Sequence, residues 1–436
     1  MTNEETTTHQ HQLTFNFLDA PTGAGKTTAI INKINNEATD SGDFMGPNRF
    51  LVVTPYKNEV DRICQATPCV QPDGIKRADL KRLLASGENI CCTHALCALL
   101  DSDTLDIIEN SGYQYHLIID EEIAVIQDIV GNKRIVNKQT PSLIDRYGRQ
   151  DFKLAAQDNL IIVDPDTAAI TWNSDHTYNS KKYKTDGIYD DLRRRLETTD
   201  LYMHGSGVIQ LMKRKVWQAF ASVTFCSYRM KESYLAYYCR LYSININYQH
   251  LENNEIVDGY LSLKPAKLDK IVLSTKHSNQ SCTYSKGWYQ EHVKTPTNLS
   301  EKAKQLRADF RQFRETVVPH EVPKKNYYWT CYKGYETILA DQRHLVKSRW
   351  HPCNLKATNS LTDRRIIGYF VNRFANVNIK GFLRSRNIPI NEQELALSEL
   401  IQFVWRSNIR TTDSNTVYVF IASGVLLGNF QDWLKE

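Results

Sequence analysis

The sequence predicts an α/β protein with mainly parallel sheets, two domains and an insertion in the first of them. Its 436 residues exceed what a single hydrophobic core organises, which favours two domains of ordinary size. Over roughly the first quarter of the chain, short apolar runs typical of buried strands alternate with segments of helical character. Such alternation is typical of βαβ units, in which the strands are parallel.

Composition and charge narrow the class of protein. Hydrophobic residues make up 41% of the chain and charged residues 24%, as in globular proteins. No apolar run approaches the roughly 20 residues needed to span a bilayer. Residues 1–12 are polar and lack an apolar signal core, so we expect a flexible tail, a cytoplasmic location and no membrane partner. The net charge of +5 permits a polyanionic partner without requiring one.

Five apolar runs predict the strands of a first domain over residues 13–235. They are LTFNFLDA (13–20), RFLVVTP (49–55), NICCTHA (89–95), YHLIIDEE (115–122) and ASVTFCSY (221–228). Polar residues follow several of these runs directly. In parallel sheets ligands bind beyond the carboxyl ends of the strands, so these polar residues are the first candidates for a functional site.

Residues 131–220 are polar, rich in tyrosine and charged, which predicts an insertion in the first domain. Its basic and aromatic side chains could stack on bases and bind phosphate, the alternative being a solvated surface. A second domain over residues 236–436 is predicted from four further apolar runs. They are KIVLST (270–275), NYYWTCYK (326–333), IIGYF (366–370) and TVYVFIAS (416–423).

Ten cysteines in a chain of this length do not indicate a disulfide scaffold. Five of them fall between Cys64 and Cys97, which raises the alternative of a metal site. However, Cys91 and Cys92 lie in a predicted strand, where neighbouring side chains point to opposite faces, and no CxxC pair is present. We therefore expect reduced and mostly buried thiols.

The segment APTGAGKTT (20–28) lies between a predicted strand and a predicted helix, which is the context of a phosphate-binding loop. Glycines let the backbone turn its N–H groups toward a phosphate, and the helix N-terminus adds positive potential. Lys26 would reach the β- and γ-phosphates, and the Thr27 hydroxyl would bind Mg²⁺. The predicted phosphate-binding residues are Pro21, Thr22, Gly23, Ala24, Gly25, Lys26, Thr27 and Thr28.

A second motif, with acidic residues at the end of a strand, supports hydrolysis of the nucleotide. In LIIDEE (117–122), Asp120 ends a buried strand and is predicted to hold Mg²⁺. Glu121 beside it is the candidate base or orienting group for an attacking water. Acids at strand ends are common on their own, so the phosphate-binding loop is what gives this pair its meaning.

The C-terminal segment ELIQFVWRSNIR (399–410) predicts a cationic element of the site. Asn391 and Glu394 form a capping pair, so a helix is expected from about residue 392. Its apolar face would comprise Leu397, Leu400, Ile401 and Val404, and its polar face Gln402, Arg406 and Arg410. A solvated face would have the same pattern. A two-domain ATPase needs a cation from its second domain at the γ-phosphate, and Arg406 is the first candidate.

These motifs together resemble the superfamily-two helicases, in particular bacteriophage-encoded members. The matching segments are APTGAGKT for motif I, VVTPYKNEVDRI for Ia, CCTHAL for Ib, DEEI for II, TFCSY for III, LKATNS for V and QFVWRSNIR for VI. Motif II lacks the usual final His or Asp, and Trp405 replaces the glycine common in motif VI. The matches are scattered over most of the chain.

The resemblance implies two RecA-like domains, ATP and Mg²⁺ as cofactors, and an ATP-dependent helicase or translocase. It also implies nucleic-acid contacts from Thr54, Pro55, Lys57, Thr93, His94, Thr358 and Asn359. Helix caps are the alternative role for the two threonines at 54 and 93. Single-stranded DNA is the favoured partner and RNA the alternative, with replication, recombination or other phage proteins as further partners in a host cytoplasm.

Three other functions remain open from the sequence. A P-loop ATPase that remodels or regulates a protein partner would need one nucleotide domain and a partner surface. A packaging-type DNA motor would share the nucleotide site, although no clustered acids typical of a nuclease occur in the C-terminal half. A degenerate ATPase would bind nucleic acid and turn over little ATP.

Overall fold

The structure, a computed structural model, describes residues 12–39, 48–130, 147–175, 187–274, 281–341, 343–354, 360–411 and 415–436. Thr358 and Asn359, the basic run KKYK (181–184) and nearly all of the predicted tail lie outside the described residues. The chain forms two compact units. The first comprises the described residues of Met1–Asp19, Thr27–Leu261 and Asn376–Pro389, and the second those of Ala20–Lys26, Ser262–Ala375 and Ile390–Glu436.

Helices and strands alternate along the described chain as the sequence predicts. The strands are β1 (Thr14–Asp19), β2 (Asn48–Thr54), β3 (Ile90–Thr93), β4 (Gln114–Asp120), β5 (Ile126–Asp128), β6 (Ile161–Val163), β7 (Ala169–Trp172), β8 (Thr199–His204), β9 (Gly207–Met212), β10 (Ser222–Ser227), β11 (Asn245–Glu252), β12 (Glu255–Asp258), β13 (Ile271–Leu273), β14 (Val293–Thr295), β15 (Asn298–Leu299), β16 (Tyr327–Thr330), β17 (Ile366–Tyr369) and β18 (Val417–Ile421). The helices are α1 (Lys26–Thr39), α2 (Lys57–Ala66), α3 (Lys76–Ala85), α4 (His94–Cys97), α5 (Ser102–Asn110), α6 (Arg149–Gln157), α7 (Ile188–Thr198), α8 (Arg214–Gln218), α9 (Tyr234–Tyr242), α10 (Lys286–His292), α11 (Glu301–Thr316), α12 (Glu336–Leu339), α13 (Val377–Arg384), α14 (Glu392–Val404) and α15 (Gly424–Lys435). Among the described residues, no helix is both long enough and apolar enough to cross a membrane.

A seven-stranded sheet in the order β12-β11-β1-β10-β4-β2-β3 organises the first unit. All of its pairings are parallel except that between β11 and β12. The apolar residues of β1, β2 and β4 are buried almost completely, which is expected of parallel strands covered on both faces. All five strands predicted for the first domain are present, and the α/β class with mainly parallel sheets is confirmed.

The first unit extends further along the chain than the predicted boundary at residue 235. Strand β11 pairs with β1 in parallel, with Phe17 opposite Tyr248, so it completes the first sheet. The unit accordingly reaches Leu261. The sequence pattern alone could not assign β11, because a strand's register partner is not encoded in its own periodicity.

The predicted insertion is an ordered antiparallel sheet in the order β5-β9-β8-β7-β6. It begins at Ile126, before the predicted start at residue 131, and it ends with β9. Phe152 of α6 and Leu192 of α7 are each about 1% exposed and pack with the sheet in a separate hydrophobic core. The insertion is therefore a folded element with its own core.

Helix α13 packs on this inserted sheet, although it comes from the second half of the chain. The Asn378 Nδ2 atom donates to Asp128 Oδ2 at 2.7 Å, and Phe382 packs against Tyr202 with ring centroids 5.3 Å apart and the ring planes tilted by 50°. A Cβ at Gly207 would lie 2.5 Å from Asp128 Oδ1, so any larger residue there would force this carboxylate to shift. The insertion and α13 consequently form one packed body within the first unit.

The second unit contains a four-stranded sheet in the order β13-β18-β17-β16, with every pairing parallel. The four strands predicted for the second domain are confirmed. Its core is strongly aromatic: Phe310 of α11 lies 5.1 Å from Phe370 and 5.6 Å from Phe420 between ring centroids. Edge-to-face pairs of this kind add to the area-dependent stabilisation of the core.

The packing of α13 predicts a large effect of Phe382→Ala. Phe382 is fully buried, so its truncation should lower the free energy of unfolding of the first unit by about 3 to 5 kcal/mol. Val377 in the same helix is 77% exposed, and Val377→Ala serves as the matched control with little expected change. Thermal denaturation together with hydrogen exchange in strands β8 and β9 would measure the effect. Equal behaviour of the two variants would contradict the packing.

Candidate nucleotide site

The candidate phosphate-binding loop lies between β1 and α1, in the strand-to-helix context that the sequence predicts. Gly23 and Gly25 have φ of 86° and 95°, a region that side-chain-bearing residues rarely adopt. Gly23 and Ala24 are exposed, and α1 begins at Lys26 and runs for 14 residues. A glycine loop that opens a long helix can present backbone N–H groups and the positive end of the helix to an anion, so the residues present fit a nucleotide phosphate.

Lys26 and the loop carbonyls form a compact arrangement in this structure. The Lys26 ammonium donates to the carbonyl of Ala20 at 2.6 Å and to that of Pro21 at 3.0 Å. Both acceptors belong to the turn that the ammonium would have to face in order to reach a phosphate. These bonds hold the lysine over the loop. A phosphate that binds there can replace the two carbonyl oxygens as the acceptor of the lysine's hydrogen bonds.

Strand register brings the ends of β1, β10 and β4 side by side. Asp19 pairs with Ser227, and Cys226 pairs with Asp120. The Asp19 carboxylate accepts hydrogen bonds from the amides of Arg229 and Met230 at 2.8 and 3.0 Å. Asp19 is absent from the residues predicted from the sequence. It could have been recognised as an acid that ends an apolar strand directly before the glycine loop.

The predicted acids Asp120 and Glu121 occupy the end of β4. Asp120 is buried, with 7% of its surface exposed, and Glu121 is partly exposed. Glu121 has φ of 66°, which costs a residue with a side chain about 1 kcal/mol or more. Such strain persists where neighbouring contacts over-determine the backbone and is typical of functional sites. The turn after β4 is therefore a specific conformation and not a fraying strand end.

No group of three or more His, Cys, Asp or Glu side chains among the described residues could hold a metal ion. Mg²⁺ at Thr27 and Asp120 would consequently depend on phosphate oxygens and water to complete its shell, as it does in P-loop proteins. None of the ten cysteines, all of which the structure describes, forms a disulfide. Burial raises the pKa of Cys69 to about 11 and that of Cys97 to about 12, so neither is an activated thiolate.

Helix α14 begins where the sequence predicts it but ends before the two predicted arginines. Asn391 caps it by accepting from the Glu394 amide at 3.2 Å, and the predicted apolar face is buried. Because α14 ends at Val404, the prediction that Arg406 and Arg410 continue a helical face with Gln402 is wrong. The chain turns at Trp405, which packs on Trp433 with ring centroids 5.7 Å apart.

The two arginines beyond α14 have different surroundings. Arg406 is 2% exposed and lies near Tyr328. Burial raises the pKa of Tyr328, and the positive charge of Arg406 opposes this effect in part. Arg410 is partly exposed and ends a short 3-10 helix. Its Cγ lies 3.3 Å from the position that a Cβ at Gly23 would occupy, with loop and arginine both in the second unit. Arg410 thus lies beside the candidate loop, at Gly23.

Gln402 and a neighbouring ion pair complete the surroundings of α14. The Gln402 amide donates to Ser398 Oγ at 3.3 Å. Glu399 forms an ion pair with Arg373 at 2.6 Å, and this carboxylate raises the pKa of the arginine. Sequence reasoning did not identify Arg373, because the pairing joins segments 26 positions apart.

The predicted nucleic-acid contacts differ in accessibility. The Thr54 side chain is completely buried, so its hydroxyl is not available to a strand in this conformation, whereas Pro55 is partly exposed and Lys57 is exposed. Thr93 and His94 are partly exposed, and His94 Nε2 donates to the Asp120 carbonyl at 2.8 Å. The alternative of threonine helix caps is wrong, because neither side chain caps the following helix.

Gly23→Ala tests the geometry of the loop. The added Cβ meets both a positive φ and the Arg410 side chain, so we expect affinity for a fluorescent ATP analogue to fall by about tenfold or more. Gly428→Ala is the matched control, because a Cβ in that helical position meets nothing within 4 Å. The control should bind the analogue normally and be stabilised by about 0.5 to 1 kcal/mol. Normal binding by Gly23→Ala would contradict the loop assignment.

Comparison with known proteins finds similarity to a family, a prophage-derived protein and a solved structure. Residues 255–434 match the family described as the YonV C-terminal Rossmann-like domain. The SPbeta prophage-derived uncharacterized protein YonV of Bacillus subtilis (strain 168) is 26% identical over 447 residues, which covers 96% of this chain and 98% of that protein. A solved structure titled XPD helicase aligns with a TM-score of 0.45 and 11% identity over 96% of this chain and 94% of that chain.

Proposed function

We propose that this protein is an ATP-dependent nucleic-acid helicase or translocase. The observation that carries the proposal is the phosphate-binding loop, entered from β1, with Arg410 of the C-terminal segment packed against its Gly23. A phosphate-binding loop alone supports nucleotide binding. An arginine from the far end of the chain beside that loop is the arrangement by which P-loop enzymes neutralise charge on a transferring phosphoryl group.

The roles of the individual side chains follow from their positions. The loop amides and Lys26 bind the β- and γ-phosphates, and Lys26 leaves its present carbonyl partners to do so. Thr27 and Asp120 would hold Mg²⁺, which supplies charge neutralisation between the phosphate oxygens. Glu121 orients the attacking water, and its fixed turn conformation defines where its carboxylate can lie. Arg410 stabilises the charge that develops on the phosphoryl oxygens.

Contact with nucleic acid is assigned to the turns that follow β2 and β3. The exposed Lys57 begins α2, and a cation there can bind a backbone phosphate. Phosphate contacts of this kind are independent of base sequence, as movement along a strand requires. Single-stranded DNA is the favoured substrate and RNA the alternative.

Strand-stimulated ATP hydrolysis is the direct test of this function. We expect single-stranded DNA or RNA to raise the ATPase rate, and Lys26→Ala to abolish both the basal and the stimulated rate. Lys33→Ala is the matched control from the same helix, because Lys33 forms an exposed pair with Glu37 on the surface of α1. ATP hydrolysis measured with single-stranded DNA, duplex DNA and RNA, followed by strand displacement, distinguishes the substrates. A rate indifferent to all three nucleic acids would contradict a motor and favour a protein-remodelling ATPase.

Arg410→Ala tests the assignment of the cation. We expect kcat for ATP hydrolysis to fall by about a thousandfold while ATP-analogue binding changes only a few-fold, because the arginine acts on charge that develops during reaction. Arg406→Ala should instead lower the melting temperature, because Arg406 is almost fully buried. Arg311, an exposed residue of α11, provides an arginine-to-alanine control with no expected effect. Equal losses of kcat and of binding in Arg410→Ala would refute the role.

A further inference from the structure

The turn after β4 is held from three directions. The Asp120 carbonyl accepts from His94 Nε2 at 2.8 Å. The Glu121 amide donates to the carbonyl of Cys226, at the end of β10, at 2.9 Å. The Glu122 carboxylate accepts from the amide of Leu235 in the first turn of α9 at 2.7 Å. Three separate elements therefore fix the backbone on either side of Glu121.

The bond from His94 differs from the other two in what it spans. In the sheet, β2 lies between β3 and β4. The main chains of β3 and β4 therefore cannot hydrogen-bond to each other directly. His94 follows the last residue of β3 and reaches the end of β4 with its side chain. The imidazole thus makes a direct link past the buried end of β2, from one strand-end turn to another.

The two turns that this bond joins have different predicted roles. The turn of Thr93 and His94 follows β3, is partly exposed and is assigned to nucleic acid. The turn of Asp120 and Glu121 is assigned to hydrolysis, and Glu121 there has a positive φ that requires external support. A hydrogen bond between the turns means that a shift of the first displaces a carbonyl adjacent to the candidate catalytic glutamate.

We propose that His94 is a positioning residue, which holds the Asp120–Glu121 turn in its hydrolytic conformation and transmits strand binding at the β3 turn to it. The proposal rests on the proposed function and deepens it. It replaces the expectation that His94 itself grips the nucleic acid, because the imidazole nitrogen facing Asp120 is already committed to that carbonyl. The neighbouring main chain and Thr93 remain the strand-facing groups of the turn.

Steady-state kinetics of His94 variants provide the first test. His94→Ala should lower strand-stimulated kcat by about tenfold to a hundredfold, because a small misplacement of the catalytic turn is costly. The KM for ATP and the Kd for a fluorescent oligo-dT strand should stay within about twofold of the wild-type values. His94→Gln should recover much of kcat, because a side-chain amide can donate to the same carbonyl. Weaker binding of oligo-dT with an unchanged kcat at saturating strand would overturn the proposal.

His116 provides a matched control on the same strand. It lies four residues before Asp120 in β4, and its Nδ1 is hydrogen-bonded to Ser222 Oγ at 2.8 Å. Burial lowers the pKa of His116, so His116→Phe replaces a neutral ring with one of similar shape. This variant should keep normal kcat and normal oligo-dT stimulation. A loss as large as that of His94→Ala would show a general effect of histidine removal from the sheet and would overturn the positioning role.

Hydrogen exchange tests the link independently of any activity. In peptides that cover residues 118–123, the Glu121 amide should exchange faster in His94→Ala than in the wild type, and His94→Gln should restore its protection. The His116→Phe variant should leave this exchange unchanged. Unaltered exchange in His94→Ala would overturn the proposal. A wild-type protein without ATPase activity would instead refute the proposed function, and the exchange result would still decide whether His94 positions the turn.

Discussion

Parallel pairing of β1 with β10 and of β10 with β4 is the constraint on which the candidate site depends. Parallel strands end at the same edge of a sheet, so this pairing places the end of β1, the turn after β10 and the acids at the end of β4 along one edge. Each of these turns has an unusual backbone: positive φ at Gly23, Glu121 and Arg229. Their conformations are supported by bonds between strand ends, such as those of the Asp19 carboxylate to the β10 turn.

The support runs in both directions. The buried carboxylate of Asp19 would be costly without the two amides that it accepts, and those amides in turn fix the left-handed Arg229. In the same way, the carboxylate of Glu122 satisfies an amide at the start of α9 and favours the helix dipole there. The edge of the sheet therefore behaves as a connected polar network, in which the loss of one member exposes unpaired groups in the others.

Within the second unit, the segment that follows α14 places two arginines in different surroundings. Arg406 is buried, whereas Arg410 lies beside Gly23. The difference arises because α14 ends at Val404 and the chain turns at Trp405. The inserted sheet is likewise completed from a distant part of the chain: α13 begins at Val377, far beyond the last inserted strand, which ends at Met212, and it packs on that sheet. Segments distant in sequence thus supply both a candidate catalytic cation and a structural support.

The strands, the glycine turn before α1 and the acids at the end of β4 could be located from the amino-acid sequence, since each is a local pattern: an apolar run, a glycine turn before a helix, or an acid at a strand end. The sequence also located the insertion and the start of α14 at its Asn391 cap. Which arginine lies beside Gly23 could not be read from helical spacing, because the chain leaves α14 and turns where Trp405 packs on Trp433. Likewise, only the fold placed β11 beside β1 and His94 against Asp120. Strand order and side-chain bonds between strands are set by packing over the whole sheet, and no short stretch of sequence contains that information.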